Sequence, residues 1–523
     1  MATVHSRVFR NSYRDSVELM QIAAEIESLT GIDRAGLLMA TPANREVLAA
    51  AGLMSEGAAA AGPNDLVVAI SASDESAATQ ALERAAARLS GPGTEGPSET
   101  THTDARTIAE GVAELGTANI ALISTPGTYA TAEALKALKR GLNVFLFSDN
   151  VPVEDEIELK SMARARGLLV MGPDCGTAIL DGVPLGFANA VRRGTIGLIG
   201  ASGTGLQQVS CLIDRSGAGI SQAIGVGGRD LDERVGGAMM LAALERLAAD
   251  PDTDLIVLIS KPPSASVTNL VLAAARAVGK PVIVNFLGGD PTAVTAAGSI
   301  PAATFEAAAT IASAMALGRP VPTNGGLPGA ALEDGPGPLA DDDPLNAVRE
   351  ARAGLGDAQW RIRGLYSGGS LAGEAKLVLR AALGADATKR HEIVDLGDDE
   401  YTVGRPHPMI DPRLRNEHLA AAAADPSTAV ILLDVVLGYG SNADPADALA
   451  SAIGAARADA AAEGRRFAVV ASVCGTSGDP QDLGAQEARL AQAGVILAPS
   501  NARAAWLAAR IVAPAAVLAG GHG

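Results

Sequence analysis

GTIGLIGASGTGLQQVSCLIDRSG, Gly194–Gly217, runs β-forming residues from Thr195 to Ile199 straight into GASGTG and then into an apolar-periodic segment. This is the strand, glycine turn and helix of a parallel α/β sheet. The first turn of such a helix carries N–H groups without intrahelical partners and the positive end of the helix dipole, so it suits an anion. Gly200 and Gly205 have the spacing of a nucleoside-triphosphate loop. Leu206 and Gln207, however, stand where that loop needs Lys and Ser or Thr, which argues against ATP. The next run, GISQAIGVGG, closes on Gly225, Gly227 and Gly228 rather than on an acid for a ribose hydroxyl, which argues against NAD. Two readings remain: a phosphate or carboxylate held by Ser202, Gly203, Thr204 and Gly205, or a tight turn whose glycines serve packing.

Outward from this stretch the pattern repeats. NIALIST, NVFLFSD, DLIVLISK and PVIVNFLGG are short β-branched runs, most of them followed by helical periodicity, as expected of parallel sheets covered by helices. Two segments rich in Pro, Gly and acid, Ser90–Asp104 and Gly318–Pro344, lack periodicity and read as linkers. They give an N-terminal α+β domain over 1–90, two α/β domains over 105–190 and 191–318, and a further α/β domain over 345–523. In that last domain VILLDVVLGYGSNADPADALASAIGAA passes from strand through Gly438, Tyr439, Gly440 and Ser441 into a helix starting near Asp444. Two glycine-lined helix starts in separate domains can face one anion from opposite sides as a clamp.

Composition limits the partners. A formal charge of -18 over 523 residues argues against nucleic acid and anionic membranes as partners. No apolar run has the length of a bilayer span, and the N-terminus lacks a signal-peptide pattern, so a cytoplasmic protein is expected. Three cysteines without a CxxC and six scattered histidines give no metal site.

MGPDCGTAI (Met171–Ile179), GTIGLIGASGTG, IGVGGRD (Ile224–Asp230) and KPVIVNFLGG (Lys280–Gly289) resemble, in order and spacing, the α subunit of succinyl-CoA synthetase. The run from EIVDLG through GYGSNAD to GTSGDPQDLGAQEARLAQAGVI is similar to the C-terminal domain of that enzyme's β subunit, without its ATP-grasp domain. With RGLYSGGSLAGEA (Arg363–Ala375) and GRPHPMIDP (Gly404–Pro412), the whole chain resembles the FdrA family. The resemblance implies a Rossmann-like CoA-binding-type domain over 105–190, followed by two flavodoxin-like domains. It also implies a phosphohistidine between the helix starts after Gly203 and Gly440, but Ala296 in TAAGSI falls at the histidine's place and Lys261 at that of its orienting acid. The loop for the CoA diphosphate belongs to a strand this chain lacks, so CoA is not counted on as a ligand, although Gly172, Pro173 and Cys175 persist.

These readings lead to a subunit of a carbamoyltransferase complex, as the FdrA resemblance implies for oxamate and oxalurate in ureide breakdown, with an oligomer and other subunits as partners. Carbamoyl phosphate or phosphate is the expected ligand, bound by Ser202, Gly203, Thr204, Gly205, Gly438, Tyr439, Gly440 and Ser441. Lys261, Ser202, Thr204 and His407 are the catalytic candidates, and Gly172, Pro173, Cys175, Gly227, Gly228 and Arg405 are expected beside the substrate. The alternatives are an acyl-CoA synthetase subunit working with a separate ATP-grasp chain, and a non-catalytic ligand-binding scaffold.

Overall fold

A computed structural model describes residues 3–12, 14, 16–27, 29–90, 105–321, 344–402 and 406–512, which form two compact units. The first unit holds strands β1 (Thr3–Phe9), β2 (Ile32–Met39) and β3 (Leu66–Ala72), with helices α1 (Ser16–Glu27), α2 (Pro42–Ala50), α3 (Glu56–Ala60) and α4 (Glu75–Ser90). Its antiparallel sheet has the order β1-β3-β2. The central strand alternates faces at every residue. Leu66, Val68 and Ile70 join the core beneath α1 and α4, while Val67 and Ala69 pack with Leu48, Leu53 and Ala58 on the other side. The α+β reading of this segment holds.

The second unit starts with α5 (Ile108–Leu115), β4 (Ile120–Ile123), α6 (Gly127–Lys139), β5 (Asn143–Leu146), α7 (Val153–Ala165) and β6 (Val170–Met171), whose strands form a parallel sheet in the order β4-β5-β6. The next elements are β7 (Thr177–Leu180), β8 (Val183–Gly186), β9 (Arg193–Gly200), α8 (Gly203–Arg215), β10 (Ile220–Gly225), α9 (Ala238–Ala249), β11 (Leu255–Ser260), α10 (Ala265–Ala277), β12 (Val282–Phe286), α11 (Pro291–Ala296), β13 (Ile300–Pro301) and α12 (Phe305–Ala316). They build a seven-stranded sheet of order β13-β12-β11-β9-β10-β7-β8, parallel from β13 to β10 and closed by the β7–β8 hairpin. That hairpin precedes residue 190, so the structure lets the second and third sequence segments share a sheet instead of parting there.

The last elements are α13 (Pro344–Ala353), β14 (Arg361–Tyr366), α14 (Gly369–Leu383), α15 (Ala385–Thr388), β15 (Glu392–Asp395), α16 (Asp399–Thr402), α17 (Arg413–Ala424), β16 (Thr428–Val436), α18 (Pro445–Ala462), β17 (Ala468–Cys474), α19 (Leu483–Gln492), β18 (Ile496–Ala498) and α20 (Asn501–Val512). Their parallel sheet has the order β15-β14-β16-β17-β18. Every residue of β11 and of β16 is buried, which accounts for continuous apolar runs where a half-exposed strand would alternate.

Both large sheets reverse their winding at the first parallel strand laid down. β9 lies between β10 and β11, and β14 lies between β15 and β16. Crevices for ligands open beyond the carboxyl ends of strands at such reversals. The loops there are Ala201–Ser202 after β9 and Ser367–Gly368 after β14.

Candidate functional site

The two reversal points meet. Ser202 Oγ caps α8 by accepting the Gly205 N–H at 3.0 Å, and donates to Ser370 Oγ, in the first turn of α14, at 2.6 Å. A Cβ on Gly368 would stand 2.8 Å from Thr204 Cγ2, so only glycine lets the loops approach this closely. The helix end facing that of α8 is therefore α14's, and the expected partner, the helix after Gly440, is corrected. Its first turn is closed by other groups. Asp444 accepts the Asp447 N–H at 3.3 Å, Pro445 has no N–H, and Ala446 donates to Gln486 Oε1 at 2.9 Å.

The Gly438–Ser441 loop instead braces the chain between the two large sheets. Gly438 N–H donates to Gln481 Oε1 at 3.0 Å, Tyr439 N–H to the Ala188 carbonyl at 2.8 Å, and Ser441 N–H to the Gly438 carbonyl at 3.4 Å. Gly438 adopts φ +110 with Ala188 pressed against it, which a side chain would prevent. Beside it Asn189 donates to the Leu437 carbonyl and Asp479 and accepts from Gln207 of α8. Three of the four amides assigned to phosphate are thus engaged within the protein. Ser441 Oγ, buried, has no partner among the described residues.

The α8 end differs. The Gly203 and Thr204 amides lie in the first turn, where the helix itself offers them no acceptor. Gly200 of β9 pairs with Ile259 of β11, and Ala201 N–H donates to the Ile259 carbonyl at 3.0 Å. That register sets Lys261, the residue after β11, beside the Ala201–Ser202 turn. Lys261 is exposed and forms no ion pair among the described residues. Its charge reaches Asp174 and Asp395, lowering the proton affinity of both.

The α14 end is already occupied by acid. Asp434 of β16 accepts the Ser367 N–H and the Gly368 N–H at 2.8 Å and the Ser367 hydroxyl at 3.0 Å. Arg415 of α17 lies 3.7 Å from that carboxylate and donates to the Asp434 carbonyl at 2.8 Å. Burial raises the Asp434 carboxyl above its usual range, opposed by Arg415 and the three hydrogen bonds. Asp395 lies against Gly369 and accepts the Gly397 N–H at 3.0 Å; burial raises its carboxyl as well.

His407 faces this region. Its Nδ1 accepts the Met409 N–H at 3.2 Å, which places the proton of the neutral ring on Nε2. The ring tilts over Phe187 at 5.8 Å, and Nε2 borders Gly397. Desolvation holds its pKa down at about 4, so near pH 7 about one ring in a thousand is charged. It can donate a hydrogen bond but is a poor acid, which narrows the role expected for it.

Of the expected substrate neighbours, Gly172 and Pro173 lie against Gly227, and Gly228 lies against Asp174. Behind them Lys160 joins Glu156 at 2.7 Å, Asp230 at 2.8 Å and the Val226 carbonyl at 3.0 Å, all buried, and fixes the glycine loop to α7 and α9. The Cys175 thiol is buried, packs on Gly225 and is pushed up to about 12 by desolvation, so it is a core residue and no substrate contact or nucleophile. Arg405 lies outside the described residues. Ala296 ends α11 and is exposed. Sequence reading missed Asp174, Asp395, Asp434 and Ser370. The signal for the last was present, since RIRGLY runs into SGGS as TIGLIG runs into ASGTG.

Comparison with known proteins supports the α/β architecture but moves the CoA-binding-type domain from the expected 105–190 to the segment that carries β9, α8 and the glycine turn. Residues 365–511 match the CoA-ligase family, 191–288 the CoA binding domain, and 1–105 the AllF heavy metal-associated domain. Residues 1–105 contain no cysteine, and no group of three or more His, Cys, Asp or Glu able to hold a metal occurs among the described residues, so the N-terminal domain does not fit a soft metal ion. The chain is 40% identical over 521 residues to the uncharacterized protein YahF of Escherichia coli (strain K12), covering 96% of this chain and 97% of that one. It is 31% identical over 149 residues to the succinate–CoA ligase [ADP-forming] subunit alpha-2 of Trichomonas vaginalis, covering 28% of this chain and 47% of that subunit. The ATP citrate lyase of Methanothrix soehngenii, solved with citrate and coenzyme A, aligns with TM-score 0.36 at 12% identity over 78% of this chain and 84% of its own. Among the described residues no helix is long and apolar enough to cross a membrane.

Proposed function

From the premise that this chain belongs to the FdrA-like family that includes YahF, we propose that it is a subunit of a CoA-ligase-type enzyme that binds phosphate or a small acyl phosphate at the α8 N-terminus. The observation that carries this reading is the strand register that brings Lys261, after β11, alongside the Ala201–Ser202 turn that starts α8, across from an α14 end whose amides are taken by Asp434. A helix end stabilises an anion by about 0.3–1 kcal/mol when exposed, so an adjoining full charge dominates the site. In an acyl transfer, a nucleophile of the acceptor forms a bond to the carbonyl carbon, and the bond from that carbon to the phosphate oxygen breaks. The phosphate leaves with the electron pair, held by Lys261 and the Gly203 and Thr204 amides. His407 Nε2–H is available to the carbonyl oxygen as its charge grows.

Two acceptors fit this frame. With CoA as acceptor and an ATP-grasp chain as partner, the subunit completes an acid–CoA ligase, in keeping with the CoA-ligase matches. With carbamoyl phosphate as donor, it serves a carbamoyltransferase complex. Ala296 favours that second reading, because an acyl phosphate delivered ready-made needs no phosphohistidine. Calorimetry on the full chain with phosphate, carbamoyl phosphate and CoA tests both. Phosphate binding is expected under either reading, CoA binding under the first and carbamoyl phosphate binding under the second. Failure of all three to bind overturns the proposal.

A further inference from the structure

Glu374 lies one helical turn beyond Ser370 on the same face of α14. It is 1% exposed, and its carboxylate joins three helices. Oε1 accepts the Phe305 N–H at the start of α12 at 2.7 Å, and Oε2 accepts from Asn501 Nδ2 at the start of α20 at 2.8 Å. Asn501 Nδ2 also donates to the Leu371 carbonyl at 2.9 Å, while its Oδ1 is a buried acceptor with no donor among the described residues. The joint reaches the turn after β9, because a Cβ on Gly205 would stand 3.1 Å from the Phe305 ring. Among the described residues Glu374 closes no ion pair. From α12, Glu306 faces it with the same charge, engaged with Arg503 of α20 at 2.6 Å and with the Ser500 hydroxyl at 2.7 Å. Tyr366 of β14 is buried beside it, its hydroxyl without a partner among the described residues. Asp395 of β15 lies against Gly369, Asp434 of β16 holds the turn before α14, and α8 carries no titratable group from Gly203 to Ser210. Lys376 and Arg380 of α14 are exposed. A carboxylate buried without a counter-charge is disfavoured as an anion, and the neutral acid still offers acceptor oxygens to both helix starts.

We propose that Glu374 is a proton-operated latch of the α12–α14–α20 joint: as the neutral acid it holds the two helix starts, and its ionisation favours an opening that lets water reach the carboxylate. The latch is independent of any anion at α8. Desolvation, opposed by the hydrogen bonds from Asn501 and Phe305 and aided by Glu306, holds the carboxyl up at about 7. Opened to water, the group returns to its usual value near 4.5. Between these values the closed joint binds more protons than the open one, so opening grows as pH rises and levels off above about 7.

Hydrogen exchange of the segments that start α12 and α20, measured on the full chain at about pH 6 and pH 8 and corrected for the intrinsic rate of the open peptide, reads this opening. The opening constant is expected to rise about tenfold over that range in the wild type. It should stay level in Glu374→Gln, which keeps the volume and an acceptor oxygen but does not titrate. No rise in the wild type overturns the latch. A rise that persists in Glu374→Gln belongs to another group and overturns it as well. Should Glu374→Gln not fold, Glu306→Gln decides. That variant removes the like charge and releases Arg503, so the rise should move to lower pH; a rise that stays in place overturns the role of Glu374.

Discussion

The turns after β9 and β14 are built alike and charged oppositely. Each leaves the first strand of a parallel sheet at the point where the winding reverses, carries serine and glycine, and starts a helix; the two touch through Ser202 and Ser370. After β14, Asp434 takes two amides and Asp395 lies on Gly369, so the helix end is neutralised from inside. After β9 no acid among the described residues accepts from the first turn of α8, and Lys261 follows the neighbouring strand. The same backbone device thus serves architecture in one domain and, under the proposed function, an external anion in the other. A helix N-terminus marks where an anion can be stabilised, and the nearby side chains decide whether that anion belongs to the protein.

Removing the internal anion tests the architectural half and should have the largest effect. Asp434→Ala leaves Arg415 buried without its counter-charge and three donors without an acceptor, and should cost about 3–5 kcal/mol in denaturant unfolding. A loss below about 1 kcal/mol would remove Asp434 as the anchor of the turn. The close approach of the two turns is tested by Gly368→Ala, whose Cβ would meet Thr204 at 2.8 Å. It should cost about 1–3 kcal/mol, read in the same way.

His407 gives the comparison a pH dependence. Its folded pKa of about 4 lies below the unfolded value near 6.5, so between these values the unfolded chain binds more protons and stability falls as pH falls. From pH 6.5 to 4 the wild type should lose about 2–3 kcal/mol more than His407→Asn, whose side-chain oxygen can still accept the Met409 N–H. Parallel pH profiles for the two would place His407 in water. The smallest effect concerns Ser441. With no partner for its buried hydroxyl among the described residues, Ser441→Ala should change stability by no more than about 0.5 kcal/mol and leave phosphate binding unchanged. Weakened binding would restore the Gly438–Ser441 loop to the anion site.

The sequence revealed those parts of this design that depend on local pattern. Continuous β-branched runs gave β9, β11 and β16, and the glycine closing the first of them gave the turn after Gly200, because burial of a parallel strand on both faces leaves a continuous apolar signature. Which helix end would face α8 was not legible in this way. It depends on a contact between Ser202 and Ser370, 168 residues apart, and both candidate loops carry glycine. Asp434 was hidden for a related reason, since one acid inside VILLDVV reads as an interruption until the turn it holds is seen beside it. Asp174 lay in plain view in MGPDCG, but only the fold brings Lys261, Arg229 and Asp399 around it.

The central claim is that the α8 turn holds an external anion through Lys261. Its most direct measurement is phosphate affinity by calorimetry for the wild type, Lys261→Ala and Lys261→Glu, repeated at low and high salt. An exposed charge is screened by salt, so Lys261→Ala should weaken binding about ten- to a hundredfold at low salt and by less at high salt. Lys261→Glu should abolish binding while the far-ultraviolet circular dichroism stays unchanged. Equal phosphate affinity in all three proteins would contradict the account.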